Sequence, residues 1–166
     1  MPVLVLARVD DRLIHGQVVV GWARALEADC LVVANDAVAA DPMQRQLLPM
    51  AVPPQIKVGI YRVREAAEAL RQERYEGRRV ILLFASLTDA LALVQSGFAL
   101  DRLNLGGIRQ APGRLPLRTA VALSPQDAVA ARALMDGGCD LYIQMVPGDA
   151  AEPLKPLLDH VFPTTA

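Results

Sequence analysis

The sequence predicts an α/β fold: an open, mostly parallel sheet with helices on both faces and antiparallel strands at its edges. Three observations lead there. Short runs of branched apolar residues alternate with amphipathic stretches from end to end. Capping signatures recur at Asp41, Ser86 and Ser124, each just ahead of a helical pattern. Pro53-Pro54 and Gly137-Gly138 then stop helices where the next apolar run begins.

Taken in order, Val3–Val9 ("VLVLARV") is a buried strand, rich in branched side chains. Val18, Trp22, Ala25 and Leu26 fall at i, i+4, i+7 and i+8, one face of a helix. Cys30–Asn35 is a second strand. Asp41 caps a helix that carries Pro42 in its first turn and Met43, Leu47 and Met50 as its apolar stripe. Ile56–Tyr61 is a third strand. A helix follows with Val63, Ala66, Ala67 and Leu70 inside and Arg64, Glu65, Glu68 and Arg71 in water. Arg79–Phe84 is a fourth strand, and Ser86 starts a helix bearing Leu87, Leu91 and Val94. "RLNLGG" reads as another strand, and the turn-linked segments around Gly113 are expected to supply antiparallel edge strands. Ser124 opens a helix that Gly137 closes, and Asp140–Pro147 is the last strand. One domain covers residues 1–166, with 151–166 a terminal helix and tail.

Composition narrows the function classes. Of 166 residues 53% are hydrophobic, and mean hydropathy is +0.28, yet no apolar run approaches the roughly 18 residues of a membrane span. The N-terminal stretch lacks a basic leader and a cleavage site, so a cytoplasmic protein without direct membrane insertion is expected. A net charge of −1 and 4% aromatic residues argue against nucleic acid as a partner. Cys30 and Cys139 lie far apart, outside any CxxC, and read as buried thiols. With two distant histidines there is no zinc-ligand spacing, so no metal is expected. A homo-oligomer stays an open alternative.

The chemistry concentrates in "RVDDRLIHGQ", Arg8 to Gln17, the loop leaving the first strand. In an open α/β sheet, ligands gather at the carboxyl ends of strands. His15 then stands at the start of a helix, where free N–H groups favour an anion. Gly16 removes a side chain where something must approach the backbone. These features suit a histidine that carries a phosphoryl group, since imidazole is nucleophilic near neutral pH. Arg8 and Arg12 offset charge on the equatorial oxygens in that reading. Asp10 or Asp11 holds one ring nitrogen and leaves the other free, and the residues alone do not choose between them. The competing reading makes Arg8, Asp10, Asp11 and Arg12 ordinary surface ion pairs around a loop histidine.

At this point the chain resembles a known family. "RVDDRLIHGQVVVGW", "VVANDAVAADPMQRQLL" and "NLGG" occur in the order and spacing of the IIB component of the mannose/fructose/sorbose family of the bacterial phosphotransferase system. The likeness extends over residues 1 to about 150. It implies an open α/β domain and a phosphorelay. A IIA phosphocarrier protein donates to a IIB histidine, which passes the group to a sugar held by membrane subunits IIC and IID. It further implies phosphate on Nδ1 of His15, supporting roles for Asp10 and Arg12, and no cofactor. It places the protein at the inner face of the membrane, held there through IIC and IID. The other IIB classes use a cysteine, and neither Cys30 nor Cys139 falls on this loop.

The sequence departs from the family after NLGG, where Ile108-Arg109-Gln110 replaces a frequent Met-His and aromatic. Arg109 is therefore either a fixed charge useful to a phosphate or an exposed loop residue. Asn35 and Ser86 end neighbouring strands and are rim candidates, although each is also a good cap or turn former. Trp22 is read as core and His160 as exposed. Two alternatives accompany the carrier: a regulatory IIB-like protein not coupled to transport, and a soluble enzyme using His15 as acid or base. The second lacks a GxGxxG or P-loop to hold its substrate.

Overall fold

In the computed structural model, which describes residues 1–164, seven strands form one sheet in the order β3-β2-β4-β1-β5-β8-β9. These are β1 Val3–Val9, β2 Cys30–Ala34, β3 Lys57–Tyr61, β4 Arg79–Phe84, β5 Arg102–Leu105, β8 Asp140–Ile143 and β9 Glu152–Pro153. All neighbours pair in parallel except β9, which runs antiparallel to β8. Between them lie α1 Asp36–Ala39, α2 Pro42–Met50, α3 Val63–Leu70, α4 Leu87–Gln95, α5 Pro125–Asp136 and α6 Leu154–Val161. A π-helical segment, Gln17–Ala23, follows the first loop.

Both faces of the sheet are covered, which is why its strands read as continuous apolar runs rather than alternating ones. Along β4, Val80, Leu82 and Phe84 join one core with α3, α4, α5 and α6, while Ile81 and Leu83 join another with the π-helical segment. The three caps form as their sequences require. Asp41 accepts from the amides of Met43 and Gln44, Ser86 from Asp89, and Ser124 and Asp127 close a reciprocal capping box. Among the described residues no helix is long and apolar enough to cross a membrane.

Four expectations need correction. The segments around Gly113 form a separate two-stranded hairpin, β6 Leu115–Arg118 with β7 Val121–Leu123, and the antiparallel edge of the main sheet is β9 instead. The first helical face is Val18, Val19, Trp22 and Ala23, with Ala25 exposed. The segment is π-helical, and that wider winding turns less per residue than an α-helix and shifts the buried set. Met43, Leu47 and Met50 lie outside the core, because α2 rests on it only through half-buried residues such as Leu48. In α4 the buried stripe is Leu87, Ala90 and Leu93, with Leu91 and Val94 half-buried beside it.

The C-terminal region docks on the sheet. Leu154 and Leu158 of α6 are fully buried, and Arg132 of α5 ties the helix down through Asp159 and the Phe162 carbonyl. Residues 165 and 166 of the expected tail lie outside the described residues. Leu158→Ala is expected to cost about 2–5 kcal/mol in urea unfolding, as for other fully buried leucines. A loss within about 0.5 kcal/mol, the usual range for surface positions, would show that α6 is not part of the folded core.

Candidate functional site

Strand β1 sits at the centre of the sheet, between β4 and β5. Val9 is in register with Phe84 on one side and Leu105 on the other, so the three strands end together. The loop after β1 is stitched to both neighbours: Asp10 N donates to Phe84 O at 2.9 Å, and Asp11 N to Gly107 O at 2.8 Å. Leu13 N then donates to Asp10 O, closing a turn in which Leu13 takes a left-handed φ of 57°. That conformation costs a branched residue about 1–2 kcal/mol. Burial of Leu13 and Ile14 against Val18 and Trp22 offsets it. The two apolar residues of "DDRLIH" thus anchor the loop, with Asp10 buried beneath it and Arg12 and His15 left at the rim.

Asp10 is the hub. Its side chain is fully buried, and both of its oxygens accept hydrogen bonds. Oδ2 meets Arg8 Nη2 at 3.1 Å, His15 Nε2 at 3.0 Å and the Gly107 amide at 3.4 Å. Oδ1 accepts from the Arg12 amide at 3.1 Å, with Arg12 Nε at 3.5 Å. Burial alone works to raise this carboxyl. The Arg12 amide, the His15 ring and the Arg8 charge together outweigh it and hold the group below its ordinary value. Asp10 is therefore ionised at neutral pH and can only accept. His15 Nε2 must donate to it, which leaves the lone pair on Nδ1. The choice between Asp10 and Asp11, open from the sequence, falls to Asp10.

Arg8 does not stand where the sequence reading put it. Expected among the phosphate oxygens, its side chain is 0% exposed and lies beneath the loop. It makes four hydrogen bonds: to Asn104 Oδ1 at 2.6 Å, Gln144 O at 3.0 Å, Asp10 Oδ2 and Gln17 Oε1, each of the last two at 3.1 Å. Its guanidinium also stacks over Trp22 at 5.4 Å. Burial pulls the Arg8 group below its usual value against the opposing charge of Asp10, but a guanidinium stays protonated. Arg12, with its side chain 45% exposed, is the cation of this loop that remains available at the rim.

The remaining candidates separate by what they touch. Asp11 turns away from the ring, and its Oδ2 accepts from both the amide and Nε of Arg109, at 3.0 and 3.1 Å. Arg109 is thereby pinned at the rim with its side chain 74% exposed. Gly16 is helical at φ −53°, so its lack of a side chain is not a conformational need. A Cβ there meets no atom of this chain within 4 Å, and the space in front of it is open. Asn35 and Ser86 lie on the same edge but are occupied as caps, Asn35 also donating to Asp89 Oδ2 at 2.8 Å. Trp22 is buried and donates to Met145 O, and His160 is exposed on α6. Cys30 and Cys139 begin β2 and precede β8, at the opposite edge from His15, and burial pushes both thiols up to about 11.

Sequence reasoning missed Asn104, Gly106, Gln17 and the Gln144 carbonyl, all of which seat Arg8. The signal lay in "NLGG". A Cβ built on Gly106 would overlap the Arg8 guanidinium, so only glycine leaves room for it. Among the described residues no group of three His, Cys, Asp or Glu side chains is placed to hold a metal.

A carboxyl held below its ordinary value contributes stability that is present above the unfolded pKa of about 3.9 and lost as pH falls through the folded value. Asp10→Asn is therefore expected to destabilise the fold by about 3 kcal/mol at neutral pH, the scale of a broken buried pair. The gap to the parent protein should close as the pH is lowered through and below the ordinary carboxylate range. Unfolding curves across that range check this, and a gap that stays constant would contradict it.

The comparisons with known proteins converge on one family. The profile described as "PTS system sorbose subfamily IIB component" matches residues 4–163. The sorbose-specific EIIB component of Klebsiella pneumoniae is 37% identical over 158 residues, covering 95% of this chain and 94% of that protein. The mannose-specific EIIAB component of Escherichia coli K12 is 32% identical over 96% of this chain, which spans 49% of that longer protein. The crystal structure of the IIB domain of the Klebsiella pneumoniae sorbose permease superposes with a TM-score of 0.89 at 35% identity, covering 95% of this chain and 97% of that one. The chain belongs to the sorbose-type IIB components of the sugar phosphotransferase system.

Proposed function

We propose that this chain is a phosphohistidine carrier in sugar uptake, accepting a phosphoryl group on His15 from a IIA component and passing it to a sugar held by membrane IIC and IID subunits. The observation that carries the reading is the contact of ionised Asp10 with His15 Nε2 at 3.0 Å. In the transfer, the Nδ1 lone pair attacks phosphorus, an N–P bond forms, and the donor's N–P bond breaks with its electron pair returning to the donor imidazole. The His15 ring gains positive charge as Nδ1 becomes phosphorylated, and the Asp10 carboxylate offsets it while keeping the Nε2 proton in place. Arg12, half-exposed and tethered to Asp10, meets the equatorial oxygens in a transition state where charge stabilisation is most of the catalysis. In the second transfer a sugar hydroxyl oxygen attacks phosphorus, and a P–O bond forms as the His15 N–P bond breaks with its electron pair returning to Nδ1. The hydroxyl proton passes to a base on the sugar-binding subunits or to water, and no cofactor enters the step.

The name of the Escherichia coli mannose-specific EIIAB relative joins the A and B components, which supports a IIA donor as partner. The open space in front of Gly16 gives such a donor a path to the ring. In this reading the protein reaches the inner membrane surface through contact with IIC and IID.

The test is reconstitution with radiolabelled phosphoenolpyruvate and the upstream carriers, followed by mapping of the label. The parent protein is expected to take an acid-labile label on His15, and His15→Ala to take none while unfolding at the parent temperature. Label retained in His15→Ala would refute the assignment. Arg12→Ala should still be labelled at His15, but about a hundredfold more slowly, the scale of removing one transition-state donor. An unchanged rate in that variant would take Arg12 out of the chemistry.

A further inference from the structure

Asn104 is a polar residue where the fold alone calls for an apolar one. It lies in β5 between Leu103 and Leu105, all three at 0% exposure, in register with Arg8 of β1. Burying an amide is unfavourable unless both its groups are bonded, and here both are. Oδ1 accepts from Arg8 Nη1 at 2.6 Å, and Nδ2 donates to the Gln144 carbonyl at 3.1 Å. The same carbonyl accepts from Arg8 Nη1 at 3.0 Å, so this end of the guanidinium is gripped between β5 and the end of β8. A guanidinium is planar and rigid. Fixing Nη1 therefore fixes Nη2, which reaches Asp10 Oδ2 and Gln17 Oε1. Gly106 supplies the space.

We propose that Asn104 is a positioning residue for His15, acting through the buried Arg8–Asp10 pair to keep the ring proton on Nε2 and the nucleophilic lone pair on Nδ1. The proposal rests on the carrier reading of His15. Asn104 touches neither the ring nor any incoming partner; its influence travels through two side chains held by fixed hydrogen bonds. Once its Oδ1 is removed, the guanidinium loses its 2.6 Å anchor, and the hold that Arg8 adds to the Asp10 carboxylate under Nε2 is loosened.

Two variants disturb Arg8 from opposite sides: Asn104→Ala removes the acceptor, and Gly106→Ala pushes a methyl group into the guanidinium. Each is read below its own unfolding midpoint by ring ¹⁵N NMR of His15 and by the rate of labelling from a IIA donor. The parent protein is expected to show Nε2 as the protonated nitrogen. In both variants the two ring signals should move toward each other as the Nδ1–H form appears. The maximal labelling rate should fall about tenfold, roughly the worth of one lost hydrogen bond to a charged group, with KM for the donor unchanged. A variant that unfolds earlier but keeps the parent's ring signals and maximal rate would make Asn104 merely structural and overturn the proposal. Should the parent itself take no label, the carrier reading fails, and the ring spectra of the variants still decide the role of Asn104.

Discussion

A charged pair with no access to water, Arg8 with Asp10, lies at the centre of this molecule, and much of the rest follows from having to accommodate it. Both side chains are fully buried, an arrangement whose desolvation penalty in real proteins is several kcal/mol per ion. Attraction between the two charges offsets that only if their remaining hydrogen-bonding groups are also met. Here all but Arg8 Nε are met, by Asn104, the Gln144 carbonyl and Gln17 around Arg8, and by the Arg12 and Gly107 amides and His15 around Asp10. A hydrophobic pair of similar size would have stabilised the domain at least as well. The ionic pair supplies something a hydrocarbon cannot: a fixed negative charge under one nitrogen of a rim histidine.

The sheet explains how such a pair can be built. An interior strand of an open parallel sheet has a neighbour on each side, and β1, the central one, has β4 and β5. Its last residues are therefore held by backbone bonds from both directions, and the loop that follows leaves the middle of the carboxyl edge rather than a corner. Leu13 and Ile14 pull that loop down onto the core beside Trp22, which forces Asp10 inward and leaves Arg12 exposed and the His15 ring partly exposed, at 14%, on the rim. Asp11, one residue along, faces the opposite way and braces Arg109 instead. The residues of one short loop thus divide between support and contact.

Much of this could be read from the residues because it is written locally. Strand β4, the caps at Asp41, Ser86 and Ser124, and the buried stripe of α3 depend on neighbours within a few positions, and each forms where its pattern placed it. The errors have a common physical origin in contacts between distant parts of the chain. Met43, Leu47 and Met50 follow a helical period, yet whether a stripe is buried depends on what packs against it. The π-helical winding that exposes Ala25 has no local signature, and the hairpin around Gly113 closes on itself instead of on the sheet. At the site, His15, Asp10 and Arg12 were legible because they share one loop. Arg8 was misplaced because its partners Asn104 and Gln144 are 96 and 136 residues away. Gly106 was visible as part of a motif, but its reason, the guanidinium filling the space of its missing side chain, belongs to the folded chain.

The central claim is that the proton shared across the 3.0 Å contact belongs to the ring and not to the carboxyl. Neutron crystallography of the unphosphorylated, deuterium-exchanged protein near neutral pH locates it directly. A deuteron on His15 Nε2, with none on Nδ1 or on either Asp10 oxygen, is the expected result. A deuteron on Asp10, or on Nδ1 with Nε2 bare, would contradict the account.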